Sequence, residues 1–319
     1  TGYGRIIRNG THVDAIVEEK DANEAEKQVN EINSGIIQAP AKDLKLWLSQ
    51  LSNDNQQSEY YLTDVIALAA QSDTPFHAAV LADANAVKGA NDMIQLAELD
   101  ALFQKRIRTQ LMQQGVRLHN PESIDVRGQL TCGRDVEIDK GVLIEGEVRL
   151  ADGVTIGAHS VVKDCQLAAG TQVAPHSVLE GVKTTGSCQI GPFARLRQGT
   201  VLSTGCKVGN FVETKKTTMG QNSKASHLSY LGDSEIGNEV NIGAGTITCN
   251  YDGVNKFKTT IKDGAFIGSD SQLVAPVTIG ENATIGAGST VTKDAPDDKL
   301  TLSRSKQRSI STWEKPKKK

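Results

Sequence analysis

The residues of this chain with chemistry to offer gather between positions 195 and 260. His227 lies in Lys224-Ala-Ser-His-Leu-Ser-Tyr230. Imidazole is the side chain that most readily serves as a general base near neutral pH, so His227 is a candidate base. Arg195 and Arg197 follow a Gly-Pro-Phe, and Lys215 and Lys216 follow a Phe-Val-Glu-Thr. Arg197 and Lys215 occupy the same phase of a repeat described below, which stacks them on one edge. Two stacked cations suit a phosphate, although ordinary solvated charge also fits the pattern. His159 and His176 share a phase as well and are expected to stack on adjacent turns, either as two exposed imidazoles or as part of a metal site. No third ligand accompanies them. The five cysteines, Cys132, Cys165, Cys188, Cys206 and Cys249, include no CxxC pair. Cys132 and Cys206 are read as occupying positions that otherwise take Ile or Val. All five are expected to be buried, reduced thiols of a cytoplasmic protein.

The elements that must position these groups follow a period of six. Ile261, Ile267, Leu273, Ile279, Ile285 and Val291 are spaced by six, and small residues recur four places after each aliphatic one. Gly268, Gly280 and Gly286 directly follow an aliphatic residue. The same step links Val126, Cys132, Ile138, Ile144, Leu150, Ile156 and Val162, then Ile190, Leu196, Leu202 and Val208, then Ile236 and Ile242. Six fits neither an amphipathic helix nor a single alternating strand. It is the hexapeptide period of a parallel β-helix, with the aliphatic residue inside and a corner in every hexad. The low aromatic content, 4%, suits a lumen too narrow for rings. Around Met219 and Ala225 the ladder weakens, and there His227 is expected to face a cleft rather than the lumen. Residues 249–260 break the period and must leave the solenoid as a loop, the kind of place where function concentrates.

The β-helix is expected from about 126 to 295. Residues 92–114 read as one connecting helix with a capping box from Asp92 and Gln95, an apolar face of Leu99, Leu102, Phe103, Ile107 and Leu111, and a stop at Gly115. Residues 1–91 read as mixed α/β, with strands at 13–17, 35–39 and 77–81 and helices around Leu44–Leu51 and 62–70. The chain starts on Thr-Gly-Tyr-Gly-Arg, as though inside a domain, and this segment holds no Gly-rich phosphate loop. The formal charge of −3 speaks against a nucleic-acid partner. No run reaches membrane-span length, and no signal peptide opens the chain. The closing Lys-Pro-Lys-Lys-Lys is expected to be a solvated end.

Four ordered motifs make the reading specific: Gly-Pro-Phe-Ala-Arg-Leu-Arg, Val-Gly-Asn-Phe-Val-Glu-Thr-Lys-Lys, Ser-Lys-Ala-Ser-His-Leu-Ser-Tyr-Leu-Gly-Asp and Asn-Ile-Gly-Ala-Gly-Thr-Ile-Thr-Cys-Asn-Tyr-Asp-Gly. Together they resemble the GlmU family, bacterial bifunctional enzymes with glucosamine-1-phosphate acetyltransferase and N-acetylglucosamine-1-phosphate uridyltransferase activities. The resemblance runs the whole chain. It implies a mainly β protein whose left-handed parallel β-helix of hexapeptide repeats follows part of an α/β nucleotidyltransferase domain and a linker helix. It further implies a cytoplasmic homotrimer with its acetyl-transfer site between subunits. Three segments result: 1–91 from the uridyltransferase domain, 92–114 as linker, and 115–319 as acetyltransferase domain with its tail.

Carried over by motif, the resemblance makes His227 the general base. It gives Arg197, Lys215, Tyr230 and Asn241 to the sugar phosphate, glucosamine 1-phosphate. It gives Ala244, Asn250, Tyr251, Ser269, Ala287 and Arg304 to acetyl-CoA. Gly4, Glu18, Asn33 and Asn91 match UDP-sugar contacts, with Asn91 also a magnesium ligand. The family's Gly-rich nucleotide loop and metal-binding Asp have no counterpart in this sequence, so Mg2+ and uridylyl transfer are expected only of a longer parent. The implied activity moves acetyl from acetyl-CoA to glucosamine 1-phosphate, for UDP-N-acetylglucosamine, peptidoglycan and lipopolysaccharide synthesis. Two other readings stand beside it: a metal-dependent hexapeptide enzyme using His159 and His176, and a non-catalytic trimeric scaffold.

Overall fold

The computed structural model describes residues 2–72, 74 and 76–316. The three terminal lysines, expected to form a solvated end, lie outside them. The chain divides into two compact units, Thr1–Leu102 and Phe103–Lys319.

The first unit is built on an antiparallel hairpin, Arg5–Asn9 with His12–Val17. Its apolar side, Ile6, Val13 and Ile16, packs with Trp47, Val65, Ile66 and Ala69. The last three come from the helix Asp64–Gln71, and Trp47 from the helix Ala41–Leu48. Trp47 is the buried residue of its helix, whereas Leu48 is exposed. Strands expected at 35–39 and 77–81 do not form. Ile36 and Val80 are exposed, so these apolar stretches have no neighbouring strand to satisfy their backbone or cover their side chains. The short helix Glu24–Lys27 escaped the sequence reading, although Asn23 and Glu26 form a reciprocal capping box.

The helix Met93–Gln113 runs across the division between the units. Asp92 Oδ1 accepts from the Gln95 amide at 2.8 Å, but the Gln95 side chain reaches back to the Asn91 amide instead of that of Asp92. Of the expected apolar face, Leu111 is buried and Phe103 is exposed. Gly115 ends the helix at φ +93, where the Val116 amide closes back on the Leu111 carbonyl.

The second unit is a left-handed parallel β-helix. Among the described residues one face is an eleven-stranded parallel sheet, from Arg117–Leu118 at one end to Leu300–Thr301 at the other. The solenoid therefore extends past the expected 126–295 at both ends. Every inward residue of the 261–291 series is buried, and so are the small residues two places before it, such as Ala265, Ser271 and Ala283. Cys206 belongs with this small set, two before Val208, and not with the Ile/Val ladder. Cys132 and Cys249 are half-buried, unlike the other three thiols. Burial pushes the Cys132 and Cys165 thiols up to about 11, which keeps them protonated and unreactive.

Glycine after the inward residue has a steric cause. A Cβ on Gly220 would lie 2.5 Å from the backbone carbonyl of Gly237 on the next coil. One corner is tied by side chains that cap the neighbouring coil. Asp152 accepts from the Arg134 amide, Asn238 from Gln221, Asp263 from Asn238 and Asp297 from Glu281, at 2.7–2.8 Å. These backbone donors hold the carboxyls of Asp152, Asp263 and Asp297 below the ordinary aspartate value of 3.8. A depressed folded value means stabilisation that is complete above 3.8 and lost as pH falls through the folded values. The melting temperature is therefore expected to hold from neutrality to about pH 5 and to fall below about pH 4. Asp263→Asn keeps an accepting oxygen, as Asn238 has naturally, and removes one titrating group. It should flatten the acid limb in melts run at several pH values. An acid limb as steep as that of the unaltered chain would count against this role.

Candidate active site

The parallel register assembles the site one coil at a time. Asn210 pairs with His227 across adjacent strands, Lys207–Asn210 and Lys224–His227, while Val208 pairs with Ala225. Ala225 pairs with Ile242, Ile242 with Ile267, and Ile267 with Ile285. Two residues beyond these inward positions stand Asn210, His227, Ala244, Ser269 and Ala287. They form one column along a single corner of the solenoid. The Arg304 guanidinium Nη1 donates to the Ala287 carbonyl at 2.7 Å and continues the column. His227 is exposed. Its exposure does not come from a weakened ladder, because Met219 and Ala225 are fully buried in the lumen. It comes from the corner phase itself, which turns the side chain outward. The His227 Nδ1 lies 2.6 Å from Asn210 Oδ1.

A second group forms at the other end of the face that leaves this corner. Leu196 pairs with Thr214 and Lys215 with Gly232, so Arg197 and Lys215 sit at matching positions on neighbouring coils. Arg197 Nη1 donates to Glu213 Oε1 at 2.9 Å, so that cation is already partnered. Lys215 has a different environment. The Lys256 amine beside it, and then the Arg197 guanidinium, push the Lys215 amine below the usual lysine range. Arg197 and Lys215 line an open groove with Glu180, Gln198, Gly199 and Lys216, and Lys256 stands beside Lys215. Such crowding is relieved by an anion.

The loop that interrupts the period leaves between Ile247–Cys249 and Thr259–Ile261, at the Lys215 edge. It folds back through a bridge between Tyr251 and Lys256. Asn250 is buried, and its amide Nδ2 donates to Asp233 Oδ2 at 2.5 Å. Tyr251 is exposed. Tyr230 faces outward between the two edges, paired with Glu213, and its ring fills the space left open by Gly232. Asn241 faces outward on the neighbouring sheet, between Lys224 and Phe266.

Sequence reasoning placed His227, Arg197 and Lys215 but missed Lys256, Asp233 and Asn210. Lys256 is hidden inside the aperiodic insert. Asn210 was countable, since 17 residues, one coil, separate it from His227.

His227 and the cations leave the backbone at different corners of the solenoid. Gly232, the register partner of Lys215, comes five positions after His227, a backbone span of at most about 16 Å at about 3.3 Å per extended residue, shortened by the corner at Leu228.

The stacking of His159 on His176 is present, with centroids 5.3 Å apart. Phe193 and Phe211 extend the same column at 4.9 and 5.5 Å. Among the described residues no three His, Cys, Asp or Glu side chains gather closely enough to hold a metal ion. In the first unit, Gly4 and Asn33 are joined by a 2.8 Å backbone bond, and a Cβ on Gly4 would stand 3.3 Å from both Glu18 carboxylate oxygens. Asn91 bonds to Gln95 instead. One neutral oxygen does not meet magnesium's preference for carboxylates in octahedral array. Among the described residues no helix is long and apolar enough to cross a membrane.

The bacterial transferase hexapeptide (six repeats) family matches residues 258–293. The bifunctional protein GlmU of Stenotrophomonas maltophilia (strain K279a) is 58% identical over 320 residues, covering 100% of this chain and 70% of that protein. The corresponding protein of Ralstonia pickettii (strain 12J) is 52% identical over 317 residues, covering 99% and 70%. That of Alkalilimnicola ehrlichii is 54% identical over 317 residues, covering 99% and 68%.

Proposed function

We propose that this chain, which belongs to the GlmU family, transfers acetyl from acetyl-CoA to the amine of glucosamine 1-phosphate. The observation that carries this reading is the shared corner. His227 stands in the same column as Ala244, Ser269 and Ala287, so the base shares a corner with residues that the family resemblance gives to acetyl-CoA. His227 takes a proton from the sugar ammonium or the attacking amine. The amine nitrogen forms the amide bond to the acetyl carbon, the thioester C–S bond breaks, and CoA leaves as the thiol once protonated. Arg197, Lys215 and Lys256 hold the phosphate, and Tyr230 and Asn241 contact the sugar. Asn250, Tyr251 and Arg304 join the column residues around acetyl-CoA.

The separation of base and cations supports a site shared between copies, in a homotrimer that sets one protomer's His227 corner beside another's Lys215 edge. In this reading, residues 1–91 belong to the uridyltransferase domain, 92–114 to a linker and 115–319 to the acetyltransferase domain. Gly4, Glu18, Asn33 and Asn91 are the sugar contacts of the uridyltransferase, whose magnesium chemistry belongs to the longer relatives. The product feeds UDP-N-acetylglucosamine synthesis in the cytoplasm.

The test is thiol release from acetyl-CoA with and without glucosamine 1-phosphate. Release that depends on the sugar phosphate is the expected result. A rate indifferent to the sugar phosphate would sink the assignment and favour the scaffold reading.

A further inference from the structure

We infer that Asn210 is a positioning residue that fixes the tautomer of His227. The inference rests on the proposed role of His227 as base. A base acting through Nε2 must carry its ring proton on Nδ1. Asn210 stands one coil before His227, held by the parallel register of their strands, and its Oδ1 lies 2.6 Å from His227 Nδ1. An amide oxygen has only lone pairs to offer, so the short contact requires Nδ1–H to donate. Nε2 then keeps its lone pair and faces away from the Asn210 side chain. The Leu228 amide donates to the Asn210 carbonyl at 3.0 Å, which ties the two corners together and limits rotation of the residue carrying the acceptor.

Nothing else on the coil below supplies this contact. Phe211, the next residue, stacks on Phe193. Glu213, the nearest carboxylate on that coil in sequence, is engaged by Arg197. The neutral amide also has a consequence of its own. It orients the ring without adding the negative charge that would favour imidazolium.

Two measurements on the full chain test this. Nitrogen-15 NMR of the imidazole at high pH should show His227 as the Nδ1–H tautomer in the unaltered chain, and a mixture in Asn210→Ala. An Nε2–H tautomer in the unaltered chain would overturn the inference. In the acetyl-transfer assay, Asn210→Ala should lose about ten- to a hundredfold in kcat, taking as guide the range for hydrogen-bond partners that orient metal-ligating histidines, with KM for both substrates nearly unchanged. Asn210→Asp restores an acceptor. It should recover most of kcat while moving the acidic limb of the pH–rate profile to higher pH, a response that a purely structural role would not give. His227→Ala run alongside separates the two claims. If that variant keeps full turnover, the base assignment fails and the role of Asn210 falls with it. If His227→Ala is inactive while Asn210→Ala keeps both turnover and tautomer, only the positioning role fails.

Discussion

His227→Ala is expected to lower turnover by about 10²–10⁴-fold, the usual cost of removing a general base. At neutral pH the hexosamine amine is largely protonated, and its lone pair must be freed before it can attack a thioester carbonyl. Of the described histidines, only His227 stands in the column shared with Ala244, Ser269 and Ala287. His227 packs nothing into the lumen, since Ala225 and Ser229 supply the buried contacts on either side. The variant should therefore keep the assembly mass and melting temperature of the unaltered chain. Turnover equal to the unaltered chain across the pH range would remove His227 from the mechanism.

Lys215→Ala and Arg197→Ala should each raise KM for glucosamine 1-phosphate about ten- to a hundredfold, with much less effect on KM for acetyl-CoA. A charge-assisted contact contributes roughly 1.5–3 kcal/mol, which sets that range. The two variants should differ in kind. Arg197 is already paired with Glu213, so its loss also frees a carboxylate near the phosphate. Lys215 is crowded by Lys256 and Arg197, and the anion relieves that repulsion. Lys256 remains in both variants, but only Arg197→Ala frees the Glu213 carboxylate to repel the phosphate, so it should carry the larger penalty. Steady-state kinetics varying each substrate in turn checks both points. Equal losses for both substrates would mean a damaged fold, not a lost phosphate contact.

The solenoid was legible because its geometry punishes exceptions. A residue that must point into a narrow lumen every six positions has to be aliphatic, and one whose Cβ would strike the next coil has to be glycine. His159 stacking on His176 follows from counting alone. The phase of Cys206 was misread because Cys suits both kinds of inward position. The first unit was less legible. Its stretches at 35–39 and 77–81 look like strands by residue type, yet a strand exists only where a neighbour pairs with it. Within the site, residues whose type announces their chemistry were found. Asn210 and Asp233 were not, because each matters only through the side chain it faces on another coil or loop. Lys256 was missed for another reason: in an aperiodic loop, spacing carries no information about position.

The placement of the His227 corner and the Lys215 edge apart on the solenoid has a genetic consequence. In the proposed trimer each site draws its base from one copy and its cations from another. A chain defective at His227 and a chain defective at Lys215 are then each impaired alone, yet they are not equivalent alleles. Produced together in one cell, they would form mixed trimers in which some sites take an intact corner from one parent and an intact edge from the other. Such sites are fully furnished, so the two alleles complement. Two alleles that both lack the corner cannot, however they are mixed.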